Sequence, residues 1–271
     1  MEFNSKEFFA YLAKDDIISA AEYLKNRVPD YLYKYYSLSD KENDELDKKK
    51  LDTLKSNSNW FDLSANQNDP LDMRMAYVSN EQYRDASQDC IELAKELLME
   101  LQKSLIICSF IDSDQFNLPM WSAYANNHKG YCVRFRVTKK QDVFKIFYND
   151  NRFSILAIPL SLMDAVCKSS NVGYETLDLV KYLYTMLLIL NTKHSSWQNE
   201  KEYRLLRPAE SKTGQNFSND ELGLIPTDVY IGMNCISKHQ KEIKRICQED
   251  LKCKCYKAYT SEKEILNFVE I

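Results

Sequence analysis

Apolar residues recur at roughly helical spacing over residues 6–28. Phe8, Phe9, Leu12, Ala20, Ala21, Leu24 and Val28 predict one amphipathic helix, which Pro29 ends. Residues 31–38 are aromatic and strand-like, and residues 39–50 are so charged that they read as a loop or an exposed helix start. A helix turn over 51–56 and a short strand over 60–64 follow, then the turn signal Asn68-Asp69-Pro70. A second long helix spans 81–103, with Ile91, Ala94, Leu97, Leu98 and Leu101 on one side. Residues 104–111 form a buried strand, and 119–127 a short helix with Pro119 near its first turn. Residues 131–137 alternate cleanly: Tyr131, Val133, Phe135 and Val137 share one face, and Cys132, Arg134 and Arg136 the other. Weaker strand signals at 143–148 and 153–160 precede a third long helix at 174–191. Strands at 201–206, 229–233 and 253–259 close the chain, with a helix at 237–249 between the last two.

Helices and loops separate these strands irregularly, which argues against a regular parallel sheet. The pattern predicts an α+β fold: a single domain with a mixed β-sheet and flanking helices. An N-terminal helical extension (1–30) packs on the domain formed by 31–271. A length of 271 residues and a hydrophobic share of 44% suit one large core.

Charge and composition remove several function classes. The formal net charge of −4 lacks the basic excess of a protein that lives on nucleic acid, although 36 Lys and Arg leave room for local patches. Five glycines form neither a Walker loop nor a GxGxxG turn. Most of the eight cysteines sit in apolar runs, as buried thiols do. Cys253 and Cys255 would share a strand face, but His128, His194 and His239 are scattered and mark no metal site. No secretory signal and no long apolar run is seen. The expectation is a reducing, cytoplasmic setting, no membrane, reduced cysteines and no metal.

Three polar clusters could carry chemistry. The densest runs from Lys193 to Arg204, and it points to a pocket around residues 193–206. Glu200 and Glu202 lie two apart, so on a strand they project from one face, where two carboxylates raise each other's pKa and can divide acid and base roles. The competing reading is ordinary surface pairing with Lys201 and Arg204. In the second cluster Trp121 and Tyr124 share a helix face, His128 reads as an exposed helix-end residue, and Gly130 as a C-terminal cap. Arg134 and Arg136, the third, would pair with acids or grip a phosphate.

Taken in order, the pieces resemble the bacterial family catalogued as domain of unknown function 2971. They are Tyr31 to Leu38; Trp60 to Ser64 with Asn68 to Asp72; Ile107-Cys108-Ser109-Phe110; Met120 to Tyr124 with His128-Lys129-Gly130; Trp197 to Leu205; and Val229-Tyr230-Ile231-Gly232. After Tyr-Lys-Tyr the family often has Arg, where this chain has Tyr36. A second, weaker resemblance is to ADP-ribosyltransferases. It rests on an early aromatic/basic strand, a middle Ser- or Tyr-bearing strand and a late Glu-x-Glu strand.

That second resemblance implies an NAD-consuming enzyme, such as a toxin or phage-defence effector, with a protein or nucleic-acid acceptor and an antitoxin or other regulatory partner. Glu202 would be the catalytic carboxylate, with Glu200 orienting the acceptor. Tyr33, Lys34, Tyr35, Ser109, Tyr124 and Arg134 would hold NAD. The alternatives are a non-catalytic ligand- or partner-binding module on the same fold, and a metal-dependent hydrolase or nuclease using Glu200, Glu202 and a further carboxylate such as Asp69 or Asp72.

Overall fold

The computed structural model describes residues 4–41, 44–69, 71–79, 87–154, 184, 186–187 and 190–271. The first half holds helices α1 (Ser5–Ala13), α2 (Ile17–Lys25), α3 (Glu45–Lys55), α4 (Gln88–Lys103) and α5 (Leu118–Ala123). Its strands are β1 (Tyr31–Tyr36), β2 (Ser58–Leu63), β3 (Ala76–Tyr77), β4 (Leu105–Ile111) and β5 (Tyr131–Val137). Strands β6 (Val143–Lys145), β7 (Phe147–Asn149), β8 (Phe153–Ser154), β9 (Thr192–His194), β10 (Glu202–Pro208) and β11 (Gln215–Ser218) follow. Helix α6 (Asn219–Leu222), β12 (Leu224–Ile231), α7 (Ser237–Ile246), β13 (Lys254–Tyr259) and β14 (Asn267–Glu270) complete the described chain.

Ten strands form one mixed sheet, in the order β11-β2-β4-β1-β5-β12-β13-β14, with β10 and β6 joined to it through β4. The β12–β13 pair is parallel, and the other pairs of this sheet are antiparallel. Helices cover both faces. Leu51 and Leu54 of α3 pack with Ile243 and Ile246 of α7 on Leu32, Phe110, Tyr131, Val133 and Phe135. On the other face α1, α2 and α4 pack on Ile107 and Leu206, and Met120 and Trp121 of α5 on Tyr33, Tyr35 and Ile111. The expected α+β class, with a mixed sheet and flanking helices, is therefore what the chain adopts.

Several local expectations are corrected. The helix read over 6–28 is two helices. Asp15 takes a left-handed conformation (φ 57°), and the carboxylate of Asp16 then caps α2 by accepting from the Ser19 amide. By contrast, the charged stretch 39–50 does hold the expected helix start, because Asp44 caps α3 through the amides of Leu46 and Asp47. The short helix at 119–127 stops at Ala123; Asn126, Asn127 and His128 all have positive φ. His128 is not an exposed helix end: it is half-buried, with its ring stacked 5.5 Å from Trp121. Gly130 is not a left-handed cap. It is glycine because a Cβ there would stand 1.8 Å from the Tyr36 carbonyl oxygen. The 237–249 helix ends in a π turn at Cys247–Leu251. Strands β3, β9, β11 and β14 and helix α6 have no counterpart in the sequence reading. The expected helix at 174–191, the strand residues 155–160, the first part of the 81–103 helix, Pro70 and Cys167 lie wholly or mostly outside the described residues.

Candidate functional site

The site forms where the sheet forks. Strand β4 pairs with β10 along one edge for its full length. On the other edge β2 takes Ile106 and Ile107, and β1 takes Ile111. Among the described residues no strand register covers Cys108, Ser109 and Phe110 on that edge, so β1 and β2 diverge there. A cavity of about 140 Å³ opens at the fork. Tyr33, Lys34 and Tyr35 of β1, Ser109 of β4, Tyr124 after α5, and Lys193, Glu200 and Glu202 line it, with Gln67 and Asn68 at one side.

Strand alternation sorts these groups. Tyr33, Tyr35 and Ile111 share a cluster on one face, while Lys34 alternates to the other. There its amine donates to the Ser109 carbonyl (3.1 Å) and the Cys108 sulfur (3.2 Å), closing the fork from behind. Tyr35 packs edge-on to Trp121, ring centroids 5.1 Å apart, and donates to the Asp114 carbonyl. Burial pushes both the Tyr33 and Tyr35 phenols up, so they stay neutral. Arg134 lies outside this cavity. One row crosses the sheet through Glu202, Ile111, Tyr33, Arg134 and Asp228. It places Arg134 three strands from Glu202, ~14 Å at the usual strand spacing. The Arg134 guanidinium pairs with Asp228 (2.6 Å) and lies over the Tyr31 ring.

Glu200 and Glu202 reach one cavity by a route other than strand alternation. Glu200 ends a 3₁₀ helix (Ser195–Glu200), and Glu202 begins β10. Lys201 between them is left-handed, with φ 48° and ψ 50°. Neither carboxylate is a solvated surface acid: Glu200 is 8% exposed and Glu202 2%.

A buried charge network holds the pair. Arg204 forks its two terminal nitrogens onto Asp72 (2.7 and 2.6 Å), and its Nε donates to Glu202 Oε1 at 2.6 Å. The Lys193 amine sits between three carboxylates, 2.5 Å from Glu202, 3.2 Å from Glu200 and 3.5 Å from Asp72. Trp197 covers this amine, ring centroid 5.5 Å away. The Tyr124 hydroxyl donates to Glu200 Oε1 and accepts from the Asn68 amide nitrogen. The Glu202 backbone amide donates to the Tyr148 hydroxyl at 2.9 Å.

The expectation that two neighbouring carboxylates raise each other's pKa does not hold for Glu202. Burial opposes its ionisation, but the Arg204 and Lys193 cations outweigh burial and hold the carboxyl at about 2. Burial likewise works against the Lys193 cation, and the carboxylates around it win, keeping the amine above its ordinary value. Three carboxylates meet two cations, so the network carries one formal negative charge beside the cavity. Among the described residues no group of three or more His, Cys, Asp or Glu is placed to hold a metal ion. Asp72 does join the glutamate pair, but the Lys193 amine fills the centre they share.

Sequence reasoning missed Lys193, Arg204 and Tyr148 as site residues. The sequence reads Arg204 only as a surface partner of the glutamates, and Lys193 only as a member of the same polar cluster. Tyr148 carried no signal, because its role comes from β7 running beside β9, where it stands opposite Lys193.

A family model described as "Protein of unknown function (DUF2971)" matches residues 120–205. The resemblance read from the sequence is thereby shown for that stretch. It includes Tyr124, Lys193, Glu200, Glu202 and Arg204, and leaves the pieces around Tyr33, Asp72, Ser109 and Tyr230 outside the match. No curated protein and no solved structure matches the chain.

Proposed function

We propose that the fork cavity binds the nicotinamide–ribose end of NAD, and that the protein is an ADP-ribosyltransferase-like enzyme acting on a protein or nucleic-acid acceptor. The observation that carries this reading is a single-ring cavity walled by tyrosines, beside a buried network with one surplus negative charge. A cavity of ~150 Å³ takes one benzene-sized ring. The nicotinamide of NAD is a flat ring with a positive charge, which suits phenol faces and a net anionic wall. The rest of the dinucleotide would lie outside, along the face where Arg134 stands.

The chemistry follows from the same charges. The bond between C1 of the ribose and the nicotinamide nitrogen breaks, and its electron pair leaves with neutral nicotinamide. The ribosyl cation left behind is oxocarbenium-like, as in glycoside cleavage. Glu202, fixed and ionised, steadies that cation without having to reorganise. Glu200 orients the acceptor nucleophile, which bonds to C1 and gives its proton to solvent water. Tyr124 and Lys193 hold Glu200 in place.

Nicotinamide release from NAD tests this, with and without cell lysate as a source of acceptors, alongside calorimetric NAD titration. Wild type is expected to bind NAD and release nicotinamide. Glu202→Gln is expected to lose turnover by about 100-fold or more, on the scale of losing one preorganised charge. Glu200→Gln, at the more exposed carboxylate, should keep binding and lose transfer to acceptor. Absence of NAD binding, with wild type and both variants alike, would sink the enzyme reading.

One observation favours a second reading, a non-catalytic binding module for a flat organic cation. Both oxygens of Glu202 already face cations, Oε1 toward Arg204 and Oε2 toward Lys193. NAD or nicotinamide binding with no turnover under any acceptor condition would select it.

A further inference from the structure

We propose that Cys247 and Cys253 form an oxidation-sensitive thiol pair, with Cys255 as their neighbour, in which a hydroperoxide attacks Cys253 and Cys247 resolves the product to a disulfide. The site is separate from the fork cavity, and the proposal does not depend on the function proposed above.

Local backbone geometry builds the cluster. Helix α7 gives way to a π turn at Cys247–Leu251, a rare form that tends to occur at functional sites. Lys252 then adopts a left-handed conformation (φ 53°), which turns the chain back toward its own helix. The Cys253 amide donates to the Cys247 carbonyl at 3.1 Å, so the two residues are clamped side by side before β13 begins. The Cys247 and Cys255 side chains sit in one buried cluster, and Cys253 packs against it.

Access is graded across the three sulfurs. Cys247 and Cys255 are 0% and 3% exposed, while Cys253 is half-buried. Cys253 and Cys255 line a surface groove of about 630 Å³, together with Lys252, Lys254 and Tyr256. A small oxidant therefore meets Cys253 first and Cys247 last. A buried thiol beside a more accessible one is the arrangement of a resolving cysteine. Hydrogen bonding from Cys247, the leading cause, holds the Cys255 thiol below its ordinary range, with the Lys244 cation adding to it.

The chemistry balances in two steps. The Cys253 thiol and a hydroperoxide give a sulfenic acid and water, or an alcohol for an organic peroxide. The Cys247 thiol then attacks the Cys253 sulfur, expelling a second water and forming the S–S bond. The disulfide would tie the end of α7 to the entry of β13. That fixes the wall of the groove without moving the sheet.

The test uses the reduced full chain and graded hydrogen peroxide, then alkylation of the remaining thiols and peptide mass mapping. The expected result is loss of two alkylatable thiols and a crosslinked peptide joining Cys247 to Cys253. It should appear at peroxide levels that leave Cys90 unmodified; Cys90 is exposed and serves as an internal control. Cys247→Ser should abolish the crosslink and leave a sulfenic acid at Cys253 that a dimedone probe traps. The proposal fails if Cys90 is oxidised first. It also fails if the crosslink excludes Cys247, or if Cys247→Ser leaves no trapped sulfenic acid while wild-type Cys253 likewise stays reduced.

Discussion

The amine of Lys193 lies 2.5 Å from the carboxylate of Glu202, and both side chains are almost wholly buried. Two charges taken out of water attract strongly, yet desolvation offsets much of the gain. The pair is therefore weak support for stability and strong support for position. Removing one partner is a different matter, because it leaves charge uncompensated in the interior. Lys193→Met would leave Asp72 and Glu202 sharing Arg204, and would take from Glu200 its lysine partner. It should destabilise the fold by about 3–5 kcal/mol, read as a lower urea midpoint. A loss under ~1 kcal/mol would mean that water reaches this network.

The network also sets a pH dependence. Glu202 is held at about 2, below its unfolded value of 4.5. A carboxyl with a depressed folded pKa contributes stability that is present above the unfolded value and is lost as pH falls through the folded one. The Glu202 contribution should therefore be full above about pH 5 and fade as pH drops toward 2. Urea unfolding of wild type and Glu202→Gln over that range checks it. The two stabilities should differ at neutral pH and converge at the acid end; a constant gap would show that Glu202 is not the titrating group.

Gly130 offers a test of the wall behind Tyr36. A methyl group there would overlap the Tyr36 carbonyl oxygen, at 1.8 Å, and approach the Leu38 amide at 3.1 Å. Both contacts are backbone, so no side chain can swing aside. The Gly130 carbonyl also accepts from the Gly232 amide, which ties the loop to the end of β12. Gly130→Ala should separate β1 from this loop and cost several kcal/mol, as overpacking of fixed elements does. A soluble variant with an unchanged melting temperature would show that the loop relaxes freely.

What the sequence disclosed follows physical range. Strand β5 was legible residue by residue, because alternation is a local property of a half-buried strand. The pairing of Tyr33 with Arg134 was not, since register is set by partners a hundred residues away. The glutamates were found for a reason that proved incomplete. Their spacing suggested a common strand face, whereas the chain uses a left-handed Lys201 to bring a 3₁₀ residue and a strand residue together. Lys193 and Arg204 were visible as charges but not as buried ones, because burial of an ion depends on the whole packed surround. Asp15 broke the helical pattern over 6–28 at a single residue, and a periodicity argument averages over single residues.

Lys201 makes that difference testable. A non-glycine residue in the left-handed region costs ~1–2 kcal/mol. Lys201 bears that cost at φ 48°, and in return its backbone turns Glu200 toward Tyr124 while Glu202 enters β10 beside Arg204. Glycine accepts the same conformation without strain but adds freedom to the unfolded chain, two effects of similar size and opposite sign. Lys201→Gly should therefore stay within about 1 kcal/mol of wild type and keep the glutamates converged. Valine is branched at Cβ and resists positive φ more strongly. Lys201→Val should lose about 2 kcal/mol or more in urea unfolding, and any heat of NAD binding that wild type shows should fall with it. If Val were tolerated as well as Gly, the left-handed turn would not be what brings Glu200 and Glu202 to one cavity. If Gly destabilised as much as Val, the Lys201 side chain itself, not its backbone, would be holding the site.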